Sequence, residues 1–194
     1  MSTHTYLQTP SQTVGPYFAY GLTAEQYLYD YSSISNGNLI VNEQVKGERI
    51  TISGQVWDGV GKLIPDAMIE IWQANSEGKY LKDRSLFHGF GRLGTGTHPQ
   101  NTVEFQTIKP GSVNGQAPHI NVIVFMRGLL VHAYTRLYFS DEAEANATDP
   151  VLKSIDPSRQ QTLIANKSRR ADGCTAYEFN IYMQGEKETV FFDV

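Results

Sequence analysis

Two residues that can bind a transition metal lie beside apolar, strand-like segments of the chain. Tyr80 follows one such segment, and His119 opens the most apolar one. Residues two apart on a strand face the same side, so a histidine at position 121 would complete a common pair of imidazole ligands. Asn121 stands there instead, and an amide binds transition metals poorly. Taken alone, His119 is better explained as a buried, hydrogen-bonded histidine and Tyr80 as a packed aromatic residue.

Arg127 ends the same apolar segment, immediately before Gly128. Its guanidinium either pairs with a carboxylate at the rim of the protein or binds an anionic ligand, for which its planar fork is suited. Eight residues of extended chain separate Arg127 from His119, a span of about 26 Å at about 3.3 Å per residue. The two side chains therefore cannot serve one small-molecule site within this chain unless the strand bends.

Other candidate sites are weaker. Residues 94–97 (GTGT) lack the strand–loop–helix context and the lysine of a phosphate-binding loop. His88 and His98 lie in a polar segment without matched partners, so we interpret them as surface histidines. Cys174 is the only cysteine, which excludes an intrachain disulfide and a thiolate zinc site.

Alternation of apolar and polar residues predicts the elements that must position these side chains. We expect strands from residue 49 and over 67–74, 102–108, 119–127, 134–139 and 177–184. Short helices are predicted late in the chain, over 141–147 and 158–167, while 81–100 is polar, rich in glycine and predicted to be a loop. This pattern predicts an all-β fold, an antiparallel β-sandwich. Residues 1–48 are predicted to form an irregular N-terminal arm and residues 49–194 the sandwich.

The composition favours a globular protein and excludes several classes of partner. The 194 residues are 40% hydrophobic and 19% charged, with a formal net charge of -4, which provides no broad basic surface for nucleic acid or an anionic membrane. The polar N-terminus has no signal-peptide pattern, and the apolar run 120–126 is too short to span a bilayer. We therefore expect a cytoplasmic protein that contacts neither nucleic acid nor a membrane.

Residues 52–80 resemble, from end to end, the signature of the intradiol ring-cleaving dioxygenase family. The matching residues are Ile52, Gly54, Val56, Gly61, Ile64, Ile69, Glu70, Ile71, Gly78 and Tyr80. The flanking motifs are similar to those of one branch of this family, its alpha subunits. These motifs are TPSQTVGPY at 9–17, IWQA at 71–74, IKPG at 108–111, APHIN at 117–121, FMRG at 125–128 and QGEKETVFFD at 184–193.

The resemblance implies that this chain has lost an iron site. In the family, two tyrosines and two histidines on a β-sandwich bind the metal. Tyr80 matches the first tyrosine and His119 the first histidine, but Val113 and Asn121 replace the second tyrosine and the second histidine. The arginine that precedes the histidines in catalytic chains corresponds to Gln116. We therefore expect no metal site and no catalytic residue in this chain, only the vestigial ligand positions Tyr80, Val113, His119 and Asn121.

The resemblance further implies a site that is shared with a partner. It implies an (αβ)n hetero-oligomer in which the beta subunit holds Fe(III) and cleaves protocatechuate with O2 to 3-carboxy-cis,cis-muconate. The positions that match substrate-facing residues of alpha subunits are Thr13, Gly15, Pro16, Tyr17 and Arg127. One alternative is a purely structural scaffolding subunit without substrate contact. A self-sufficient homomeric enzyme is a second alternative, which the two replaced ligands argue against.

Overall fold

The computed structural model describes residues 15, 21–30, 32–33, 36–83 and 85–193. Within these residues, nine strands form one continuous sheet in the order β3-β2-β5-β6-β7-β8-β1-β4, with β9 beside β1. The strands are β1 Arg49–Trp57, β2 Met68–Trp72, β3 Phe90–Gly94, β4 Thr102–Ile108, β5 His119–Phe125, β6 Ala133–Phe139, β7 Ile164–Arg169, β8 Thr175–Glu178 and β9 Ile181–Tyr182.

Strand β7 is the corner at which the sheet folds over into two layers. Its first two residues pair with β6, and its remaining residues pair with β8. Inward-facing side chains of both layers meet in one core that includes Ile52, Ile71, Phe105, Val122 and Leu137. The predicted β-sandwich is therefore confirmed. Three of the eight strand pairings among the described residues are parallel (β1–β8, β1–β9 and β6–β7). The alternation of apolar and polar residues cannot predict this, because a strand shows the same alternation whether its neighbour runs parallel or antiparallel.

Three short α-helices lie in one late excursion between β6 and β7, as predicted, and Gly21 and Leu22 near the N-terminus are also helical. The helices of the excursion are α1 Ala143–Thr148, α2 Pro150–Lys153 and α3 Pro157–Gln160, and a 3-10 helix, Gln161–Leu163, follows them; another 3-10 helix, Ala24–Tyr27, precedes the sheet. Asp149 and Asp156 cap α2 and α3 by accepting hydrogen bonds from backbone N–H groups, and a proline occupies the first turn of each. The helix predicted over 158–167 is wrong beyond Leu163, because pairing with β6 and β8 makes the rest a strand.

Strand β3 lies inside the segment that was predicted to be a loop. Its sequence, FGRLG, contains two glycines and a charged residue, and β2 is its one strand partner in the described sheet. Arg92 of β3 pairs across the strands with Glu70 of β2 at 2.6 Å, and both side chains are largely buried. Pairing to a neighbour therefore overrides the weak strand propensity of this segment.

Residues 36–42, here called the edge-closing segment, connect the free edges of β3 and β4. The Arg92 N–H donates to the Asn36 carbonyl at 3.2 Å, while Gln106 of β4 exchanges backbone hydrogen bonds with Gly37 and Leu39 at 2.7 and 2.9 Å. Leu39 is fully buried in the core. The predicted division of the chain at residue 48 stays a prediction.

Beyond this segment, the side chain of Gln26 occupies the last position of the β3 edge. Its amide donates to the Gly94 carbonyl at 2.6 Å and accepts from the Gly94 N–H at 2.7 Å, as a paired strand would.

None of the helices described is long and apolar enough to cross a membrane.

Candidate active-site remnant and interface arginine

Strand β5 carries His119 and Asn121, two of the four predicted vestigial ligand positions. Ile120 and Val122 face the core, so His119 and Asn121 face outward from the sandwich. This alternation places residues 119 and 121 on the same side of the strand, as their spacing predicted. His119 is nevertheless only 3% exposed, and its neighbours Ala117 and Tyr138 belong to a buried cluster with Leu152 and Leu163 of the late helical excursion.

His119 is a neutral, hydrogen-bonded histidine in this structure. Its Nδ1 lies 2.8 Å from the carbonyl oxygen of Ala117, and its ring packs against the ring of Tyr138 at 5.8 Å. A carbonyl oxygen only accepts, so we assign the proton to Nδ1. Burial lowers the pKa of the imidazole because desolvation disfavours its charged form. Nδ1 is therefore used in a bond within the protein.

Tyr80 and Asn121 bind each other. The Asn121 amide Nδ2 donates to the Tyr80 hydroxyl at 3.0 Å and to the Trp72 carbonyl at 3.3 Å. The Trp72 carbonyl can only accept, which orients the amide so that the tyrosine oxygen is the acceptor. The rings of Tyr80 and Trp72 stack at 5.9 Å with an interplanar angle of 10°. Asn121, at the position where the resemblance implies a second histidine, is therefore a hydrogen-bond donor to Tyr80.

Two loops in close backbone contact hold Tyr80 near Val113. Gly78 has φ +75°, and a Cβ on it would stand 1.9 Å from the Ser112 carbonyl oxygen. The Gly111 N–H donates to the Asn75 carbonyl at 2.9 Å. Only glycine at position 78 allows this approach. The loop that carries the signature tyrosine is therefore fixed against the loop that carries the replaced second tyrosine.

Arg136 is a charged residue of this region that the sequence analysis missed. It lies opposite Asn121 in the β5–β6 pair, and its Nη1 donates to Gln116 Oε1 at 2.8 Å. Its Nη1 is also 3.4 Å from the hydroxyl of Tyr138, and burial raises the pKa of Tyr138 to about 12. A guanidinium from β6 therefore meets Gln116, the position at which the resemblance implies an arginine in catalytic chains. The sequence offered no signal for this role, because the place of Arg136 follows from the register between β5 and β6.

These residues do not fit ferric iron. Val113 has no donor atom, Asn121 offers a neutral amide that already donates to Tyr80, and the nearby guanidinium of Arg136 disfavours a further cation. Of the four ligand positions that the resemblance implies, only Tyr80 and His119 keep a ligating side chain. No group of three or more His, Cys, Asp or Glu among the described residues is arranged to hold a metal ion.

Arg127 lies past the far end of β5 from His119, in an exposed turn. Its Nε lies 2.6 Å from Asp66 Oδ2 in an ion pair, yet 72% of its side chain is exposed. The rim ion pair considered from the sequence therefore exists, and the guanidinium still faces solvent. Of the predicted arm residues, Gly15 is described and exposed, whereas Thr13, Pro16 and Tyr17 lie outside the described residues.

A comparison with known proteins identifies the class. The sequence model of the family described as "Dioxygenase" matches residues 22–185. The chain belongs to the intradiol ring-cleaving dioxygenase family, as the resemblance of residues 52–80 predicted. A solved structure, the dioxygenase domain of a carbohydrate-binding fusion protein from Streptomyces sp. SirexAA-E, superposes with a TM-score of 0.62 at 26% identity over 94% of this chain and 99% of that one.

The curated relatives are subunits of one enzyme. The "Protocatechuate 3,4-dioxygenase alpha chain" of Burkholderia cepacia is 48% identical over 196 residues, covering 98% of this chain and 99% of the relative. The protein of the same name from Pseudomonas putida is 45% identical over 195 residues, covering 96% of each chain. The "Protocatechuate 3,4-dioxygenase beta chain" of Burkholderia cepacia is 30% identical over 170 residues, covering 78% of this chain and 71% of that one.

Proposed function

We propose that this chain is the iron-free alpha subunit of a heteromeric protocatechuate 3,4-dioxygenase. The observation that carries the proposal is the bond between Asn121 and Tyr80, which occupies two of the four ligand positions with each other. Val113 removes a third. Similarity to alpha chains across nearly the whole sequence supports the same assignment. A beta subunit then completes the enzyme as an (αβ)n hetero-oligomer.

The redox chemistry in this proposal belongs to the partner. Fe(III) held by the beta subunit would supply the chemistry that makes protocatechuate reactive toward O2, and cleavage between the two hydroxyls would give 3-carboxy-cis,cis-muconate. This chain supplies packing, part of the pocket wall and an oriented positive charge. Holding the substrate in one orientation lowers the entropic part of the barrier without any redox group on this chain.

Arg127 is the residue we assign to substrate contact. Protocatechuate is a carboxylate, and a guanidinium binds a carboxylate through two parallel hydrogen bonds. Arg127 is exposed and lies away from the remnant of the chain's own iron site, so it is free to reach a pocket on the partner. Thr13, Gly15, Pro16 and Tyr17 of the arm are assigned to the same wall, and the exposure of Gly15 supports this.

Arg127→Ala in the coexpressed complex is expected to lower kcat/KM for protocatechuate about 10- to 100-fold, since a hydrogen bond to a charged group contributes about 1.5–3 kcal/mol. Steady-state O2 uptake measures the change, and gel filtration checks that assembly is intact. The matched control is Arg170→Ala, because Arg170 is also an ion-paired surface arginine but pairs with Glu104 of the other layer. Unchanged kinetics in an intact complex would establish the scaffolding alternative instead.

A second prediction concerns the iron content of the same complex, because Val113 and Asn121 cannot replace a phenolate and an imidazole as iron ligands. Wild-type enzyme is expected to contain one iron per αβ pair, and Val113→Tyr with Asn121→His should raise this ratio toward two. The added phenolate and imidazole restore ligand types that suit ferric iron. Metal analysis and the phenolate-to-iron absorption band measure the result. Val113→Phe with Asn121→His is the control for shape, and two irons per pair in the wild type would contradict the proposal.

A further inference from the structure

The guanidinium of Arg127 has two sides that can bind a carboxylate, and only one of them is occupied. Asp66 contacts the Nε atom at 2.6 Å. No other hydrogen bond or ion pair engages Arg127 among the described residues, and most of its side chain is exposed. The two terminal Nη groups therefore form an open fork whose geometry matches a second carboxylate.

Asp66 is itself held in a fixed place. It lies in the connection between β1 and β2, between Ile64 and Ala67, and the fully buried Thr95 binds both of these neighbours. The Thr95 hydroxyl donates to the Ile64 carbonyl at 2.8 Å, and its N–H donates to the Ala67 carbonyl at 2.8 Å. Both bonds are buried, so the loop around Asp66 is anchored to the end of β3.

One oxygen of the Asp66 carboxylate is buried, although 40% of the side chain is exposed. Its Oδ1 atom is buried and has no hydrogen-bond partner among the described residues. Arg127 is the cation that compensates this charge. Because a buried carboxylate oxygen loses its hydration, releasing Arg127 would leave Asp66 uncompensated. The pair therefore gives Arg127 a defined contact at Nε, on a loop whose backbone is anchored by Thr95.

We propose that Asp66 is a positioning residue, which holds Arg127 by Nε so that its Nη fork faces the carboxylate of the substrate. This inference rests on the proposed function of Arg127. It makes the Asp66–Arg127 pair a determinant of substrate class, favouring catechols that carry a carboxylate over catechols that do not. Orienting the arginine before binding removes part of the cost of immobilising a flexible side chain.

The charge of Asp66 alone predicts an effect of the opposite sign. Asp66 is anionic and would repel a substrate carboxylate, so neutralising it would lower KM if only charge mattered. If Asp66 acts by orienting Arg127, neutralising it raises KM. The direction of the change therefore separates positioning from simple electrostatics.

The test uses Asp66→Asn in the coexpressed complex, with protocatechuate and with catechol as a substrate that lacks the carboxylate. We expect KM for protocatechuate to rise about three- to tenfold, with kcat unchanged and KM for catechol unchanged. The double variant Asp66→Asn/Arg127→Ala should be no worse than Arg127→Ala alone, because both changes remove one interaction. Asp58→Asn is the control, since Asp58 caps the same β1–β2 connection without contacting an arginine.

The outcomes distinguish this inference from the function on which it rests. If Arg127→Ala leaves KM unchanged, the proposed contact with substrate is wrong. If Arg127→Ala raises KM but Asp66→Asn leaves it unchanged or lowers it, only the role of Asp66 is overturned. An equal rise for protocatechuate and catechol would overturn it as well, because a general disturbance of the loop would then explain the effect.

Discussion

Replacing Gly78 with alanine is expected to lower the free energy of unfolding by about 3–5 kcal/mol, at the upper end of what single substitutions do. The new Cβ would stand 1.9 Å from the Ser112 carbonyl oxygen, and φ at this position is +75°. Backbone cannot yield as a flexible side chain does, so the loop that carries Tyr80 must separate from the loop that carries Val113. At about 2–4 °C per kcal/mol, the midpoint of thermal unfolding should fall by roughly 10 °C.

Gly115→Ala is the matched control for this prediction. Gly115 has φ +77°, nearly the same as Gly78, but no heavy atom lies within 4 Å of the position that its Cβ would take. The control therefore carries the left-handed backbone strain, about 1 kcal/mol, without the collision. Equal losses of stability in the two variants would show that strain alone matters and that the two loops are not in contact.

Asp141→Asn is expected to destabilise the protein by about 2–4 kcal/mol, because removing one member of a partly buried ion network leaves the others uncompensated. Asp141 accepts from Lys109 at 3.0 Å, from Lys167 at 2.7 Å and from the hydroxyl of Tyr177 at 3.0 Å. These partners come from three separate parts of the sheet: the end of β4, β7 and β8. Chemical denaturation measures the loss, and Glu43→Gln is the control, since its pair with Arg49 is exposed and is expected to contribute about 0–1 kcal/mol.

The same residue makes the stability depend on pH in a defined window. Burial alone would raise the pKa of Asp141, but hydrogen bonds from Lys167, Lys109 and Tyr177 outweigh it and lower the pKa from 3.8 to about 2. A carboxyl group with a lowered pKa stabilises the fold above its unfolded pKa, and this contribution is lost as the pH falls from about 3.8 to about 2. The stability difference between wild type and Asp141→Asn should therefore narrow in that window. A difference that stays constant down to pH 2 would contradict the assignment.

The sequence predicted the parts of the fold whose pattern is local. Alternation identified β5 and both of its faces, because one face meets the core and the other does not. It missed β3, whose glycines and Arg92 become a strand only through pairing with β2 and burial against Glu70. It extended a helix over β7 because β7 is stabilised by strands distant in sequence. Long-range pairing decides these elements, and no local pattern records it.

The candidate site was predictable to the same extent. The resemblance to the family predicted Tyr80, Val113, His119 and Asn121 as vestigial ligand positions, but not that Tyr80 and Asn121 bind each other. Arg136 acquires its place from the register of β5 and β6. Asp66 is far from Arg127 in sequence and meets it only because β2 and β5 pair side by side. Contacts across strands require the register, which the chain sets by folding.

The edge-closing segment also restricts how a partner can bind. Residues 36–42 and Gln26 bind the backbone of Arg92 and Gly94 at the outer edge of β3, and Gly37 and Leu39 bind that of Gln106 on β4. At these positions a second protein cannot extend the described sheet by β-augmentation, in which main-chain bonds supply much of the affinity and accept many sequences. Recognition at this side must come from side chains and loops. That form of binding discriminates between partners, and it also suppresses self-association through strand edges.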